Sequence, residues 1–219
     1  MKNHMDMSLE TQFKNIDTLT WLPFIGKNYF ASKRKILVVG ESHYIPKDDD
    51  AEYYQNETWT REFILKEGMA AKPWYQETAK NALTREIEKT ITGGLDSNIW
   101  NELAFFNLIQ RLLDSREIED RPTYDDVSFG LKNFKKVVAH LDPDLLIFCG
   151  VKAANHFHEL HEDGVFEITP IDLPKVKLNG AYPRQFDLTY AGKTRRCTFV
   201  KHPSKGISAE KWAEIIFRE

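Results

Sequence analysis

The chain has 219 residues, of which 42% are hydrophobic and 29% charged, and its formal net charge is −3. The length fits one domain, or one domain with an insertion, and the weakly acidic balance argues against a general nucleic-acid coat protein. No apolar run is long enough to span a membrane, and the polar residues 1–14 lack the features of a secretory signal, so we expect a cytoplasmic protein.

Helix and strand patterns alternate along the first half of the chain. A weak helical pattern at residues 9–19 precedes an apolar run at 36–39, which is typical of a buried strand. The next patterns are a polar acidic loop at 46–56 and helical stretches at 59–66 and 74–91. They indicate that a single domain, 1–219, carries a helical insertion at about 46–94.

The second half of the chain predicts an open α/β sheet. Apolar runs at 103–107 and 145–149 are the next strands. Five apolar residues recur between them at helical spacing: Val127, Leu131, Phe134, Val138 and Leu141. The later patterns are a helix at 152–160, two strands at 186–190 and 196–200 that form a hairpin or lie as neighbours, and a helix at 209–217 with Ser208 at its amino cap. This order predicts a three-layer α/β/α sandwich with a mainly parallel central sheet.

The numbers and positions of the cysteines and histidines limit the metal sites that the chain can form. Cys149 and Cys197 lie in apolar runs, which predicts two buried free thiols in a reducing compartment. Two cysteines exclude a four-cysteine zinc or iron–sulfur site. His156, His158 and His161 have spacings that place them on different helix faces, so we interpret them as a solvated surface. We therefore expect neither a metal nor a cofactor.

Polar side chains follow two of the predicted strands. The sequence GESHY occupies residues 40–44 after the first strand, and KHPS occupies 201–204 after the last. In open α/β sheets, ligands bind in the crevice at the carboxyl ends of the parallel strands. We therefore expect the two clusters to converge on one site.

The weak net charge conceals a basic segment at residues 175–205. It holds eight basic residues and one acidic residue, a local charge of +7, which leaves −10 for the rest of the chain. Such a segment is suited to following phosphate groups, although alternating cations on a hairpin are also typical of a solvated outer face. The sequence leaves both interpretations open.

Four segments in this order resemble the signatures of the uracil-DNA glycosylase superfamily. They are ILVVGE at 36–41, AFFN at 104–107, DPDLLIFCGVKAA at 142–154 and VKHPS at 200–204. The resemblance covers roughly residues 35–212, and it is closest to the branch with a Gly-Glu turn after the first strand. The chain lacks the iron–sulfur cysteines of that branch. Ser42 also stands where the superfamily usually has Asp or Asn.

The resemblance implies cleavage of an N-glycosidic bond, a reaction that develops positive charge on the sugar and negative charge on the base. It implies that Glu41 is catalytic and orients water or stabilises the sugar cation. It implies that His202 is catalytic as well and donates a hydrogen bond to the departing base. An enzyme of this kind also takes the base out of the nucleic-acid stack.

The resemblance further implies three kinds of contact. The residues that bind the base are Gly40, Ser42, Tyr44 and Asn107. The amide of Asn107 reads the pyrimidine edge, and Tyr44 stacks on the base or restricts the pocket. The residues that contact the nucleic-acid backbone are Lys201, Ser204 and Lys205. Ile207 is the apolar candidate for a wedge inserted between bases.

Each candidate residue has a structural alternative. Glu41 and Ser42 are typical turn-capping residues, and Asn107 can satisfy backbone groups at a strand end. His43 either lines the pocket or only fills the loop.

For function, we expect a monomeric glycosylase acting on uracil or a related damaged base, with DNA or a single-stranded nucleic acid as partner. A non-catalytic nucleobase or nucleic-acid binding module on the same scaffold is the first alternative. An erythromycin-esterase-like hydrolase ranks third, because its Gly-Glu turn is similar to residues 40–43.

Overall fold

A computed structural model describes residues 2–45, 51–69, 81–114, 120–162 and 164–218. The strands are β1 (Phe24–Ile25), β2 (Ile36–Gly40), β3 (Tyr44–Ile45), β4 (Leu103–Asn107), β5 (Leu113–Asp114), β6 (Leu145–Cys149), β7 (Glu167–Ile171), β8 (Arg184–Tyr190) and β9 (Lys193–Val200). The α-helices are α1 (Glu10–Lys14), α2 (Ala51–Tyr54), α3 (Trp59–Phe63), α4 (Ala82–Thr92), α5 (Tyr124–Leu141) and α6 (Ala209–Ile216). A π-helical segment, Ile64–Met69, continues α3.

Seven strands form one mixed sheet in the order β1-β4-β2-β6-β9-β8-β7. The central strands β4, β2, β6 and β9 are parallel, whereas β1, β8 and β7 pair antiparallel with their neighbours. The fold is therefore α/β, as predicted. The sheet was predicted to be mainly parallel, but it is mixed. One reason lies in the tight β8–β9 turn, where Ala191 and Gly192 have φ angles of 51° and 74°. Positive φ at both central residues is the geometry of a hairpin turn, which makes these strands antiparallel.

Helices cover both faces of this sheet. All five residues of each of β2, β4 and β6 are buried, and alternate side chains point to opposite faces. Leu37 packs in one core cluster with Phe134 of α5, whereas Val38 packs in a second cluster with Trp212 of α6. The sheet therefore has a core on each side. Within the described residues, no helix is long and apolar enough to cross a membrane.

The long helix α5 confirms the predicted amphipathic pattern. It begins with a capping box, in which Thr123 and Asp126 exchange hydrogen bonds between side chain and backbone. It ends at Leu141, and the residue that caps it, Asp142, has a left-handed φ of 44°. The Asp142 carboxylate there accepts hydrogen bonds from Lys35 (2.7 Å), Lys193 (3.0 Å) and Arg195 (2.6 Å).

Several predicted elements differ in the structure. The helix expected at 152–160 is two 3₁₀ segments, Lys152–Asn155 and Phe157–His161. Buried residues recur there every third position, at Ala154, Phe157 and Leu160, which matches the period of a 3₁₀-helix.

The insertion also departs in part from its prediction. The predicted loop at 46–56 contains α2, while residues 46–50 lie outside the described residues. Of the helix predicted at 74–91, the structure describes α4, and residues 74–80 lie outside it.

Candidate functional site

A cavity of about 900 Å³ lies at the carboxyl ends of the four parallel strands. Glu41, Asn107, Gly150 and His202 line it, and they end or closely follow β2, β4, β6 and β9 respectively. Because parallel strands present their carboxyl ends at one edge of a sheet, residues distant in the chain meet there. The predicted convergence of the strand-end clusters is confirmed as geometry.

The carboxylate of Glu41 is oriented by its own turn. The Tyr44 hydroxyl donates a hydrogen bond of 2.7 Å to Glu41 Oε2. Burial raises the pKa of Tyr44, and the hydrogen bond to Glu41 raises it further, so the phenol remains protonated and keeps donating. Among the described residues no backbone amide donates to this carboxylate, so the structure does not support the turn-capping alternative for Glu41.

Ser42 ties the same turn to the neighbouring loop. Its hydroxyl donates 2.7 Å to the backbone oxygen of Arg111. Arg111 is itself held by Asp126, with a distance of 2.8 Å from Nε to the carboxylate, and by Asp120, at 2.6 Å. Ser42 lines the cavity, but its proton is directed to the backbone.

Asn107 is a buried polar side chain that faces the cavity without a partner. It is only 3% exposed, and in the described part of the chain its side-chain amide forms no hydrogen bond. Its Oδ1 lies so close to Gly40 that a Cβ atom at residue 40 would overlap it. Neither amide atom is among the fully buried polar atoms without a partner, so the amide opens into the cavity, where a polar ligand can bond to it. The alternative in which Asn107 satisfies backbone groups is therefore not supported.

His202 supplies a mostly buried imidazole to this cavity. Burial lowers its pKa below the ordinary value of 6.5, the charge of Lys205 lowers it further, and the carboxylate of Glu41 opposes both effects. The imidazole is therefore neutral at pH 7 and carries one N–H donor.

The predicted backbone-contacting residues lie beside His202. Lys201 and Lys205 line the cavity, and Lys201 Nζ is 3.4 Å from the backbone oxygen of Gly206. Ser204 belongs to the 3₁₀ turn Pro203–Lys205, and its side chain lies outside the described part of the structure. Gly40 borders an adjoining cavity of about 130 Å³ that shares Glu41 and Gly150 with the larger one.

No protein-family model matches the chain, and a search of curated proteins finds no significant match. In the described ranges, no group of three or more His, Cys, Asp or Glu residues is arranged to hold a metal ion.

The basic segment at 175–205 is not a continuous phosphate track. At the amino end of β9, Lys193 and Arg195 pair with Asp142, and Arg196 pairs with Asp187. Only the carboxyl end of β9 directs cations, Lys201 and Lys205, toward the cavity. The segment therefore combines internal ion pairs with a short basic rim.

Two predictions about apolar and aromatic contacts are revised. Ile207 was the candidate wedge, but it is partly buried and packs against the core cluster beneath α6. Gly206 precedes it with a left-handed φ of 69°. His43 is only 6% exposed, contacts the rings of Trp21 and Trp59, and has Nε2 2.8 Å from Thr60 Oγ1. Burial lowers the pKa of His43 to about 3, so it is a neutral packing residue on the cavity wall.

Sequence reasoning missed one wall of the cavity. The insertion contributes Tyr54, Trp59, Phe63 and Lys66 to the lining, and the loop before α5 contributes Arg121. The density of aromatic residues at 53–63 is the available signal, but the pattern there predicts only a polar loop and a helical stretch. The site is therefore more aromatic and more basic than predicted.

Proposed function

We propose that the chain is a glycosylase-like hydrolase that cleaves the N-glycosidic bond of uracil or a related damaged base in DNA. The Asn107 amide, which opens into the same cavity as the Glu41 carboxylate and the His202 imidazole, carries the proposal. The four segments that resemble the uracil-DNA glycosylase superfamily support it, as does the parallel centre of the sheet. We also propose that the helices and the sheet form a three-layer α/β/α sandwich like that of the superfamily.

The amide of Asn107 is suited to reading a pyrimidine edge. It offers a donor and an acceptor side by side, as does the N3–H and carbonyl edge of uracil. Gly40 keeps this amide in place, since a larger residue would displace its oxygen. Base binding in this position gives Asn107 the hydrogen bonds that the described residues do not provide.

Glu41 and His202 serve the two charges that develop during bond cleavage. The bonding electron pair leaves with the base, and His202 stabilises the resulting anion by donating its N–H to a base oxygen. The Glu41 carboxylate stabilises the cationic sugar and orients a water molecule, which adds to C1′ and gives its proton to that carboxylate. Tyr44 occupies Oε2, and so leaves Oε1 of Glu41 for the water.

A non-catalytic binding module remains the second candidate, and Ser42 is the observation that favours it. The resembling superfamily usually has Asp or Asn at this position, whereas the Ser42 hydroxyl here donates to the Arg111 backbone. A module of this kind would hold the base without releasing it. The esterase-like alternative gains no such support, since His43 is a buried packing residue.

The test is base release from an oligonucleotide with a single uracil, detected as alkali-labile strand breakage. His202→Ala should slow release by roughly a hundred-fold or more, the loss typical of one anion-stabilising donor. His158→Ala is the matched control, because His158 is exposed and does not line the cavity. Binding without release would favour the binding module. If the protein neither binds the oligonucleotide nor releases the base, both nucleic-acid proposals are excluded.

A further inference from the structure

An aromatic cluster extends from the cavity onto the protein surface. Its members are Tyr53, Tyr54 and Trp59, with ring centroids 5.0 Å apart for Tyr53 and Trp59 and 4.8 Å apart for Tyr54 and Trp59. Tyr54 and Trp59 line the cavity, whereas Tyr53 lies outside its lining and is 52% exposed. The cluster therefore joins a binding site to an open aromatic surface.

Positive charge accompanies this cluster. Lys66 Nζ lies 5.4 Å from the centroid of Tyr53 and donates a hydrogen bond of 2.7 Å to the Tyr53 hydroxyl. The lysine side chain is 54% exposed, and its carboxylate neighbour Glu62 is 3.8 Å away. Of the described residues that line the cavity, four are Lys or Arg and two are carboxylates: Lys66, Arg121, Lys201 and Lys205 against Glu41 and Glu67. The rim is therefore suited to a polyanion.

Aromatic rings beside cations are the recurring means of binding unpaired bases and their phosphates. Proteins that open a duplex commonly insert an apolar side chain into the stack, but the candidate Ile207 packs against the core instead. An unpaired strand needs no such wedge, because its bases are already separated from a partner strand.

We propose that the chain binds single-stranded DNA, with the base next to the target stacked on Tyr53 and its phosphate beside Lys66. This inference rests on the proposed function for the chemistry in the cavity. Binding itself can be measured on oligonucleotides that contain no uracil, so the two proposals are separable.

The experiment measures fluorescence anisotropy of a labelled oligothymidylate and of a duplex of the same length with the full chain. We expect at least ten-fold tighter binding of the single strand. Tyr53→Ala should weaken it by about five-fold to a hundred-fold, the loss typical of one stacked base, while Tyr53→Phe should retain most of the affinity. Lys66→Met should flatten the salt dependence by roughly the share of one phosphate contact.

Tyr182 and Lys177 provide a matched control pair. Tyr182 is 51% exposed, and Lys177 Nζ lies 5.3 Å from its ring centroid, yet neither residue lines the cavity. Tyr182→Ala and Lys177→Met should leave binding unchanged. Equal or tighter duplex binding, or equal effects of Tyr53→Ala and Tyr182→Ala, would overturn the inference. Single-strand binding without base release would support the inference and count against the proposed function alone.

Discussion

Tyr44 and Glu41, three residues apart in one turn, are joined by a 2.7 Å hydrogen bond at the carboxyl end of β2. The carboxylate of the site is thus oriented by a phenol from the same loop. Among the described residues, Tyr44 is the hydrogen-bond donor to Oε2. The loop is in turn attached to its neighbour through Ser42 and the backbone of Arg111.

The first prediction separates the two members of this pair. Glu41→Gln should slow uracil release by about a hundred-fold or more, because a neutral amide neither stabilises the sugar cation nor orients water as a carboxylate does. Tyr44→Phe should have a smaller effect, about ten-fold, since the carboxylate remains and only its orientation is lost. Single-turnover rates at saturating enzyme measure both. Equal rates for Glu41→Gln and the wild type would contradict the role of Glu41.

The second prediction concerns the pKa of His202, followed by its imidazole NMR signals during a pH titration. Lys205→Met should raise this pKa, because the ammonium of Lys205 disfavours the imidazolium. Glu41→Gln should lower it, because the favourable carboxylate charge is removed. Lys201→Met is the control and should cause no comparable change. Shifts of the opposite sign would show that Glu41 and Lys205 do not face His202 in solution.

The third prediction tests the contact between Gly40 and Asn107. In Gly40→Ala, the new methyl group overlaps Asn107 Oδ1 and lies 2.7 Å from the Phe105 ring. Either strand β2 or the Asn107 amide must therefore move. We expect the free energy of unfolding to fall by about 1–3 kcal/mol and base release to decrease. Gly94→Ala should be nearly neutral, since a Cβ there meets nothing within 4 Å. Urea denaturation and the uracil assay measure the two effects.

The fourth prediction concerns acid stability at the opposite edge of the sheet. Partial burial acts to raise the pKa of Asp142, but hydrogen bonds from Lys35, Arg195 and Lys193 hold it well below its ordinary value of 3.8. Because the folded pKa is lowered, the stabilisation is present above about pH 4 and is lost as the pH falls through the folded pKa.

Asp142→Asn should therefore lower the free energy of unfolding at pH 7 by about 1–3 kcal/mol, because Arg195 is 3% exposed and loses its charged acceptor. Asparagine tolerates the left-handed backbone of this position, so the change isolates the charge. Asp187→Asn should cost less than about 1 kcal/mol, since the side chain of its partner Arg196 is 29% exposed, against 3% for Arg195. Urea denaturation at pH 7 and pH 3 measures whether Asp142→Asn destabilises the protein more than Asp187→Asn does. A wild-type loss on acidification that Asp142→Asn leaves unchanged would contradict it.

The elements with strong apolar patterns were predictable from sequence. Buried runs gave β2, β4 and β6, and helical spacing gave α5. The strand β7 was missed, because its residues are partly or fully exposed and it contains Pro170, which is tolerated at the edge of a sheet. Local pattern identifies an element when one face is buried, and an edge strand gives little such signal.

The candidate site was predictable to the extent that it depends on parallel strands. Glu41, Asn107 and His202 end or follow β2, β4 and β9, so topology alone brings them to one edge. Lys66 and Arg121 come from the insertion and from a loop, whose positions depend on tertiary packing. The effect of burial on His43 and His202 also required the structure, because it depends on neighbours distant in sequence.

The two buried cysteines make the chain a convenient host for site-specific labelling. Cys149 and Cys197 are its only cysteines, and burial raises the pKa of both thiols, which suppresses the reactive thiolate. A single cysteine introduced at exposed Tyr182 would be the one readily alkylated group, with both native thiols left in place. Fluorescence or spin-label distances from there to a bound oligonucleotide would then follow its path across the surface without altering the core.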